Sequence, residues 1–305
     1  MKIRRTQKLL FATAVLSVTA LVAAGCGNGA ETSTGTSPAP SASPSGAVRA
    51  IAAQVPGSVK ANGALTVAAD ATYAPNEFVA TDGRTVIGFD ADLAKELGQV
   101  LGLKVNVINA TFDTIIPGLA SGKYDLGISS FTDTKEREQT VDFVTYFRAG
   151  TSFYVKSSGG PDIKSLADLC GRTVAAEKGT TQAADAQEQS AKCRSAGKPS
   201  VTVQVYNDQN AVNLALSSDR AQIAMADSPV AAYQVKQSKA ALKVTGSPYG
   251  TAPYGIAVPK DSGMADPVLA AVKHLMAKGT YMKILEKWGV QGGAISNPAI
   301  NAAVS

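Results

Sequence analysis

Residues 112–130 read FDTIIPGLASGKYDLGISS, a helical pattern followed by a polar turn and a short buried strand. The helical part covers Phe112–Ala120, and the run Asp125–Ser129 is typical of a strand that is buried in a sheet. A helix that leads through a short turn into a buried strand is the second half of a βαβ unit. The stretch therefore predicts a parallel sheet packed between helices, which is the α/β class.

The residues before this stretch supply the first half of the series. Leu65–Ala69 reads as a buried strand, and Asp90–Leu101 carries apolar residues at helical spacing until Gly102 ends the helix. Lys104–Ile108 alternates like a strand. Strand and helix thus alternate from residue 63 to the end of the opening stretch.

Further along the chain the alternation starts again. The predicted elements are a short helix Leu166–Leu169, strand Arg172–Ala176, helix Thr180–Ala196, strand Val201–Tyr206, helix Asn210–Leu216, strand Ala221–Ala226, helix Ser228–Lys236, strand Tyr254–Val258, and helices Pro267–Lys278 and Thr280–Trp288. The restart predicts two α/β lobes, with the second inserted in the first.

The chain would then cross between the lobes twice, near Phe153–Ser157 and near Thr251–Gly255. The predicted division is lobe 1 at 63–154 with 252–290, lobe 2 at 157–249, and a C-terminal tail at 291–305.

The N-terminus has the features of an export signal. Residues 1–25 combine a basic start with a short apolar run, and small residues precede Cys26. This pattern predicts a lipoprotein that is acylated on Cys26, although Ala23-Ala24-Gly25 would also suit an ordinary signal peptidase. Residues 26–60 begin with a small, polar, Pro-rich segment, which predicts a disordered tether. The folded part is therefore expected outside the cytoplasm, on a lipid anchor at the outer face of the membrane or in the periplasm.

The net charge of +5 comes mostly from this signal. Four of the 29 basic residues precede Cys26, and the remaining 25 face 24 acidic residues. A net charge of +1 makes nucleic acid an improbable partner.

The cysteines fit an oxidising compartment. With Cys26 acylated, Cys170 and Cys193 remain as a pair, and a disulfide is favoured over two buried free thiols. The single histidine, His274, lies far from both cysteines in sequence. No metal site and no cofactor are expected.

Polar and aromatic residues follow five of the predicted strands. In open α/β sheets, ligands bind beyond the carboxyl ends of the strands. Those loops carry Asp70 and Tyr73, then Phe112, then Ser129 to Arg137, then Glu177 to Gln182, and finally Asp227. A cleft with hydroxyls, one arginine, several carboxylates and two aromatics suits a small zwitterion.

Nine short motifs also occur in order along residues 63–290. They are DATYAPNEF, VIGFDADLAKELG, FDTIIPGLASGKYDLGISS, TDTKERE, VDF, KGTTQ, ADSPVAAY, YGIAV and GTYMKILEKWG. With these motifs the chain resembles solute-binding protein family 3, the polar-amino-acid binding proteins of bacterial ABC importers. The resemblance implies the two-lobed type II periplasmic-binding-protein fold, hinge closure on a free amino acid, and delivery to a membrane permease. It also implies a monomeric binder that performs no catalysis.

The resemblance assigns roles to matching positions. Arg137 would hold the ligand's α-carboxylate, with main-chain N–H groups near Thr132 and Thr181, and Asp227 would pair with the α-ammonium. Tyr73 and Phe112 would pack on the carbon skeleton. The full predicted set of ligand-binding residues is Asp70, Tyr73, Phe112, Ser129, Ser130, Thr132, Arg137, Glu177, Thr180, Thr181, Gln182 and Asp227.

Plainer interpretations exist for several of these residues. Asp133 and Glu136 would form a capping box, which makes Arg137 a surface residue of a helix start. Asp227 would N-cap the following helix, and Asp70 would brace its own loop.

Two other functional classes are compatible with the fold. Cyclohexadienyl dehydratases share it, and so do the sensor domains of receptors; incubation with prephenate or arogenate would identify a dehydratase. For a binder, Asp70 and Glu177 favour arginine, lysine, ornithine or glutamine over glutamate and aspartate, because an anionic side chain would meet like charge. Lys178 would reverse that ranking only if its ammonium faced the ligand.

Overall fold

The structure is a computed structural model that describes residues 45–304 of the 305-residue chain. The predicted signal peptide at 1–25 and the predicted acylation site at Cys26 lie outside the described residues. Within 45–304, every helix is too short or too polar to span a bilayer.

The described residues form a mixed α/β fold. The strands are β1 Ala64–Ala69, β2 Thr72–Tyr73, β3 Glu77–Val79, β4 Val86–Ile87, β5 Lys104–Asn109, β6 Leu126–Gly127, β7 Val141–Lys156, β8 Thr173–Glu177, β9 Thr202–Tyr206, β10 Ile223–Asp227 and β11 Leu242–Pro259. The helices are α1 Gly46–Gln54, α2 Gly57–Asn62, α3 Phe89–Leu101, α4 Phe112–Ala120, α5 Thr181–Ser195, α6 Gln209–Ser217, α7 Ser228–Gln237, α8 Ala265–Ala277 and α9 Thr280–Trp288. Single 3₁₀ turns lie at Arg137–Gln139, Leu166–Leu169 and Gln291–Gly293.

One eight-stranded sheet, in the order β5-β1-β6-β11-β7-β10-β8-β9, runs through both lobes. Strands β1, β5 and β6 pair in parallel in lobe 1, and β8, β9 and β10 do so in lobe 2. The carboxyl ends of these strands point toward the region between the lobes, as the βαβ pattern predicts. This arrangement confirms the α/β class and the two-lobed architecture.

The two crossings are longer than predicted. Strand β7 has 16 residues and β11 has 18, and the two pair antiparallel along most of their length. The sequence obscures β11 because Gly246, Pro248 and Gly250 interrupt its apolar pattern. The structure accommodates them with register shifts between Thr245 and Ala252, which keep the strand continuous.

Each lobe has its own apolar core. In lobe 1, α3, α8 and α9 pack on the sheet around Phe89, Leu97 and Tyr146. In lobe 2, Leu169 and Met225 belong to a separate cluster, and Phe153 of β7 packs in it although the predicted division places residue 153 in lobe 1. The disulfide between Cys170 and Cys193 is present and ties the Leu166–Leu169 turn to α5.

The prediction of a disordered tether up to residue 60 is wrong for residues 46–60. Helices α1 and α2 occupy this segment, and Ser45 caps α1 by accepting a hydrogen bond from the Val48 amide. Ile51 and Val55 are buried in the lobe 1 core. The Pro- and Ser-rich composition ends at Ser45, so the averaged composition of the longer segment hid an amphipathic helix.

The plainer interpretation of residues 133–137 as a helix start does not hold. Only a 3₁₀ turn forms at Arg137–Gln139, and no capping box forms at Asp133. The Asp133 side chain is buried and accepts a hydrogen bond from the Ala302 amide of the C-terminal tail instead. A contact over such a sequence distance cannot be read from local spacing.

Candidate functional site

A narrow cavity of about 10 Å³ lies between the lobes, at the carboxyl ends of the parallel strands. It is lined by eleven of the twelve residues predicted to bind the ligand, all except Ser129, and also by Glu77. Residues from the lobe 1 loops face residues from β8, β10 and the start of α5 across this space.

Arg137 spans the cavity entrance between the lobes. One guanidinium nitrogen donates to the Thr132 carbonyl oxygen at 2.8 Å, and the other donates to the Gly179 carbonyl oxygen at 2.9 Å. The guanidinium also lies 5.4 Å from the centre of the Phe112 ring. Burial lowers the pKa of Arg137 to about 10, so the group remains charged at neutral pH. Arg137 is therefore a cation in the cavity lining whose guanidinium is fixed by two hydrogen bonds, and it is not a solvated residue of a helix start.

The start of α5 lies close to the Arg137 guanidinium, which reaches Gly179 just before this helix. Thr180 is the N-cap, and its hydroxyl accepts a hydrogen bond from the Ala183 amide at 3.2 Å. Thr181 is the first residue of the helix and lines the cavity. The unpaired amides of a helix N-terminus and the Arg137 guanidinium together make a place for an anion.

Asp227 provides the opposite charge. It sits at the N-cap position of α7 but makes no capping hydrogen bond with its side chain. Its carboxylate instead accepts hydrogen bonds from the Tyr73 hydroxyl at 3.0 Å and the Gln182 amide at 2.8 Å. Gln182 therefore orients Asp227. A buried carboxylate fixed by two donors is suited to receive an ammonium group.

Asp70 and Glu177 form a second acidic region. Asp70 accepts hydrogen bonds from the Thr72 hydroxyl at 2.6 Å and the Phe112 amide at 2.9 Å, so it braces its loop while lining the cavity. Glu177 is 2% exposed, and within residues 45–304 its Oε1 has no hydrogen-bond partner. Burial, followed by the nearby Asp70 carboxylate, raises the pKa of Glu177 well above its ordinary value.

Lys178 does not neutralise this acidic region. Its ammonium pairs with the Asp113 carboxylate at 2.8 Å, on the surface where the lobes meet. The adjacent Gly179 has a positive φ of 79°, and a Cβ there would lie 2.9 Å from that of Asp113. Glycine thus permits the close approach of the lobes at this point.

A buried polar network supports the cavity wall at Ser130. This residue has a φ of 52°, and its amide donates to the Asp90 carboxylate at 2.7 Å. The Ser129 hydroxyl donates to Glu77 at 3.0 Å, which places Ser129 one layer behind the cavity. Burial and the neighbouring Asp90 raise the pKa of Glu77 well above its ordinary value.

The sequence reasoning missed Glu77, although it follows Asn76 within the motif DATYAPNEF. The Asn76 side-chain amide donates to the Ser130 hydroxyl at 2.8 Å. A polar pair in a short stretch that is otherwise apolar was the available signal.

Other contacts hold the lobes together around the cavity. The Thr72 hydroxyl accepts a hydrogen bond from the Gln209 amide at 3.1 Å, and Tyr73 of lobe 1 packs in an apolar cluster of lobe 2. With the Arg137 and Lys178 contacts, these define a closed arrangement of the lobes.

The fold and the cavity define a two-lobed binding protein that encloses a small molecule bearing both charges. The sequence matches the profile of the bacterial extracellular solute-binding proteins, family 3, over residues 65–291, and the chain belongs to this family.

Several similar proteins are named as amino-acid-binding proteins. The arginine-binding protein ArgT of Corynebacterium glutamicum is 33% identical over 252 residues, which cover 82% of each chain. A solved structure described as an ancestral arginine-binding protein bound to glutamine is 39% identical, covers 75% of this chain and 98% of its own, and has a TM-score of 0.67. The ancestral amino acid-binding protein AncCDT-1, described as a precursor of cyclohexadienyl dehydratase, is 34% identical over 76% of this chain and 97% of its own, with a TM-score of 0.65. The relatives are thus mainly solute-binding proteins.

Proposed function

We propose that this protein is the substrate-binding component of an ABC importer and that it carries a basic amino acid, with L-arginine as the first candidate. The observation that carries the proposal is the buried Glu177 carboxyl, which lines the cavity beside Asp70 without a cation within residues 45–304. A ligand with a positive side chain supplies that missing partner.

The balance of charge in the cavity supports this choice. The lining residues include four carboxyl groups, those of Asp70, Glu77, Glu177 and Asp227, against the single guanidinium of Arg137. Glu77 accepts hydrogen bonds from the Ser129 and Ser130 hydroxyls, so it has partners within the protein. Arg137 and Asp227 balance the α-carboxylate and α-ammonium of the ligand, so Asp70 and Glu177 remain for its side chain. Burial raises the pKa of both groups, because their charged forms are costly without a partner, and a guanidinium or ammonium would offset that cost.

The aromatic residues fit the same ligand. Tyr73 and Phe112 line the cavity, with Tyr73 beside Asp227 and Phe112 beside Arg137, and their rings offer apolar surface to an alkyl stem. Glutamine ranks second, because its amide can donate to the same carboxylates. Glutamate and aspartate rank below it, since Lys178 is engaged by Asp113 and is not directed at the side-chain region.

The experiment is a binding screen on the mature chain. Unfolding temperature is measured with each of the twenty amino acids, ornithine and citrulline, because a ligand that binds only the folded state stabilises it. We expect arginine to give the largest shift, followed by lysine, ornithine and glutamine. Citrulline is a matched control that keeps the length of arginine without its charge. A largest shift with glutamate or aspartate would contradict the ranking, and no shift with any compound would contradict the function.

We also propose that the protein performs no catalysis. The neighbour AncCDT-1 justifies a direct check with prephenate and arogenate. Formation of an aromatic product at a rate above that of buffer would contradict this part of the proposal.

The proposed delivery route includes a permease and a lipid anchor on Cys26, at the outer face of the membrane or in the periplasm. A tether between Cys26 and Ser45 would let the two lobes of the monomeric protein reach the permease. We expect wild-type protein expressed in a suitable bacterium to partition into detergent and the Cys26→Ala variant to enter the aqueous phase. Equal release of both would contradict the anchor and leave the binding proposal intact.

A further inference from the structure

The C-terminal tail adds a short stretch to the edge of strand β7. Strand β10 pairs only with residues 151–154 of β7, so the first half of β7 has a second edge that other strands leave open. The Thr145 amide donates to the Ala299 carbonyl oxygen at 2.9 Å, and Ile300 forms an antiparallel bridge with Val144. The tail thus closes an edge that would otherwise expose unpaired backbone groups.

Asn301 fixes the tail at this edge. Its amide donates to the Phe143 carbonyl oxygen at 2.9 Å, and its side-chain oxygen accepts from the Phe143 amide at 2.8 Å. Its side-chain nitrogen donates to the Asp142 carboxylate at 2.9 Å. Asn301 also has a φ of 52°, a conformation that asparagine tolerates better than most residues. Three hydrogen bonds and this turn direct the following residues away from β7.

The residues after Asn301 reach the loop that carries Arg137. The Ala302 amide donates to the Asp133 carboxylate at 2.8 Å, and the Ala303 amide donates to the Glu138 carboxylate at 3.2 Å. Asp133 is fully buried, and within residues 45–304 its Oδ1 has no hydrogen-bond partner. The Ala302 amide is therefore a principal support of a buried carboxylate, and its loss would leave that group unsatisfied.

This loop, residues 131–139, contains cavity residues on both sides of Asp133. Thr132 bridges to Tyr254 of β11, and its carbonyl oxygen receives the Arg137 guanidinium at 2.8 Å. The Asp133 amide donates to the Pro253 carbonyl oxygen at 2.9 Å. Thr132 precedes Asp133 in the chain, so a shift of Asp133 toward water would also move the Thr132 carbonyl oxygen. That oxygen accepts a hydrogen bond from the Arg137 guanidinium and so orients it.

We propose that residues 298–303 act as a strap that positions the Arg137 loop, with Asn301 and Asp133 as positioning residues for ligand binding. The strap lies beyond residues 65–291, the range that the family profile matches. The proposal rests on the proposed function, because ligand affinity is one of its two readouts.

The test compares the mature chain with a variant that ends at Asn297 and with two single substitutions. Asn301→Ala removes two side-chain hydrogen bonds, whereas Asn297→Ala changes an exposed asparagine of the same tail that makes no side-chain hydrogen bond within residues 45–304. Calorimetry with L-arginine is done at a temperature where circular dichroism shows every variant folded. We expect Asn301→Ala to weaken binding about three- to tenfold, the shortened chain to weaken it more, and Asn297→Ala to leave it unchanged.

A rescue experiment separates positioning from general stability. A synthetic peptide NPAINAAV, residues 297–304, is added to the shortened chain at increasing concentration. Recovery of arginine affinity with peptide concentration supports the strap, and a lowered unfolding temperature with unchanged affinity would overturn it.

The second readout needs no ligand. Amide hydrogen exchange at residues 131–139 should be faster in the shortened chain than in the intact one, while exchange in lobe 2 stays the same. Unchanged exchange at residues 131–139 would overturn the strap, whether or not the intact chain binds an amino acid. A failure of the intact chain to bind any amino acid would refute the proposed function separately.

Discussion

Arg137→Ala is expected to weaken the binding of every amino-acid ligand by roughly 30-fold to a few thousand-fold while the fold persists. Loss of one partner of a buried, hydrogen-bonded charge pair typically costs about 2–5 kcal/mol, which corresponds to that range. The α-carboxylate is common to all amino acids, so arginine and glutamine should lose affinity by similar factors. Titration calorimetry with both ligands measures the effect.

Two controls isolate the role of the guanidinium. Arg84→Ala makes the same change at an exposed position between β3 and β4, and it should leave affinity unchanged. Arg137→Lys keeps the charge but loses the planar fork that holds two oxygens, so we expect an intermediate loss. Near-normal affinity in Arg137→Ala would mean that Arg137 only ties Thr132 to Gly179.

The cavity was accessible to sequence reasoning because its residues follow buried strands. Glu177 and Asp227 are the last residues of β8 and β10, and Arg137 lies in the loop that follows β6. Parallel pairing brings those ends to one edge, so residues that are distant in sequence meet without any further information. The roles of the individual side chains needed the family resemblance, since spacing alone left Asp227 open as a helix cap.

Other features depend on contacts that local patterns do not encode. Glu77 lies in a three-residue strand, which is too short for a period to be recognised. Asp133 is buried through the amide of Ala302, a residue from the far end of the chain. The averaged composition of residues 26–60 hid Ile51 of α1 and Val55 just after it, which are both buried in the lobe 1 core. These misses share one cause, which is that long-range packing decides burial wherever a segment is short.

The charge of the ligand's side chain is tested most directly at Glu177. The variant Glu177→Gln keeps the size of the side chain and its hydrogen-bonding oxygen but removes the charge. Because the carboxyl is buried and a cationic ligand would be its main partner, we expect arginine affinity to fall by roughly 30-fold or more. Glutamine, which is neutral, should lose about threefold at most, since one hydrogen bond to an amide replaces one to a carboxylate.

The decisive quantity is therefore the ratio of the two dissociation constants, measured by calorimetry in wild type and variant. Glu188→Gln is the matched control, because Glu188 is exposed on α5 and pairs only with Lys192 at 2.6 Å within residues 45–304. That control should leave both constants unchanged. Equal losses of affinity for arginine and glutamine in Glu177→Gln would show that Glu177 contributes to the shape of the cavity and does not select ligands by the charge of their side chain. Tighter binding of glutamate by Glu177→Gln would support a role of Glu177 in selecting ligands by charge. Removal of one buried carboxyl would weaken the repulsion that excludes anionic side chains.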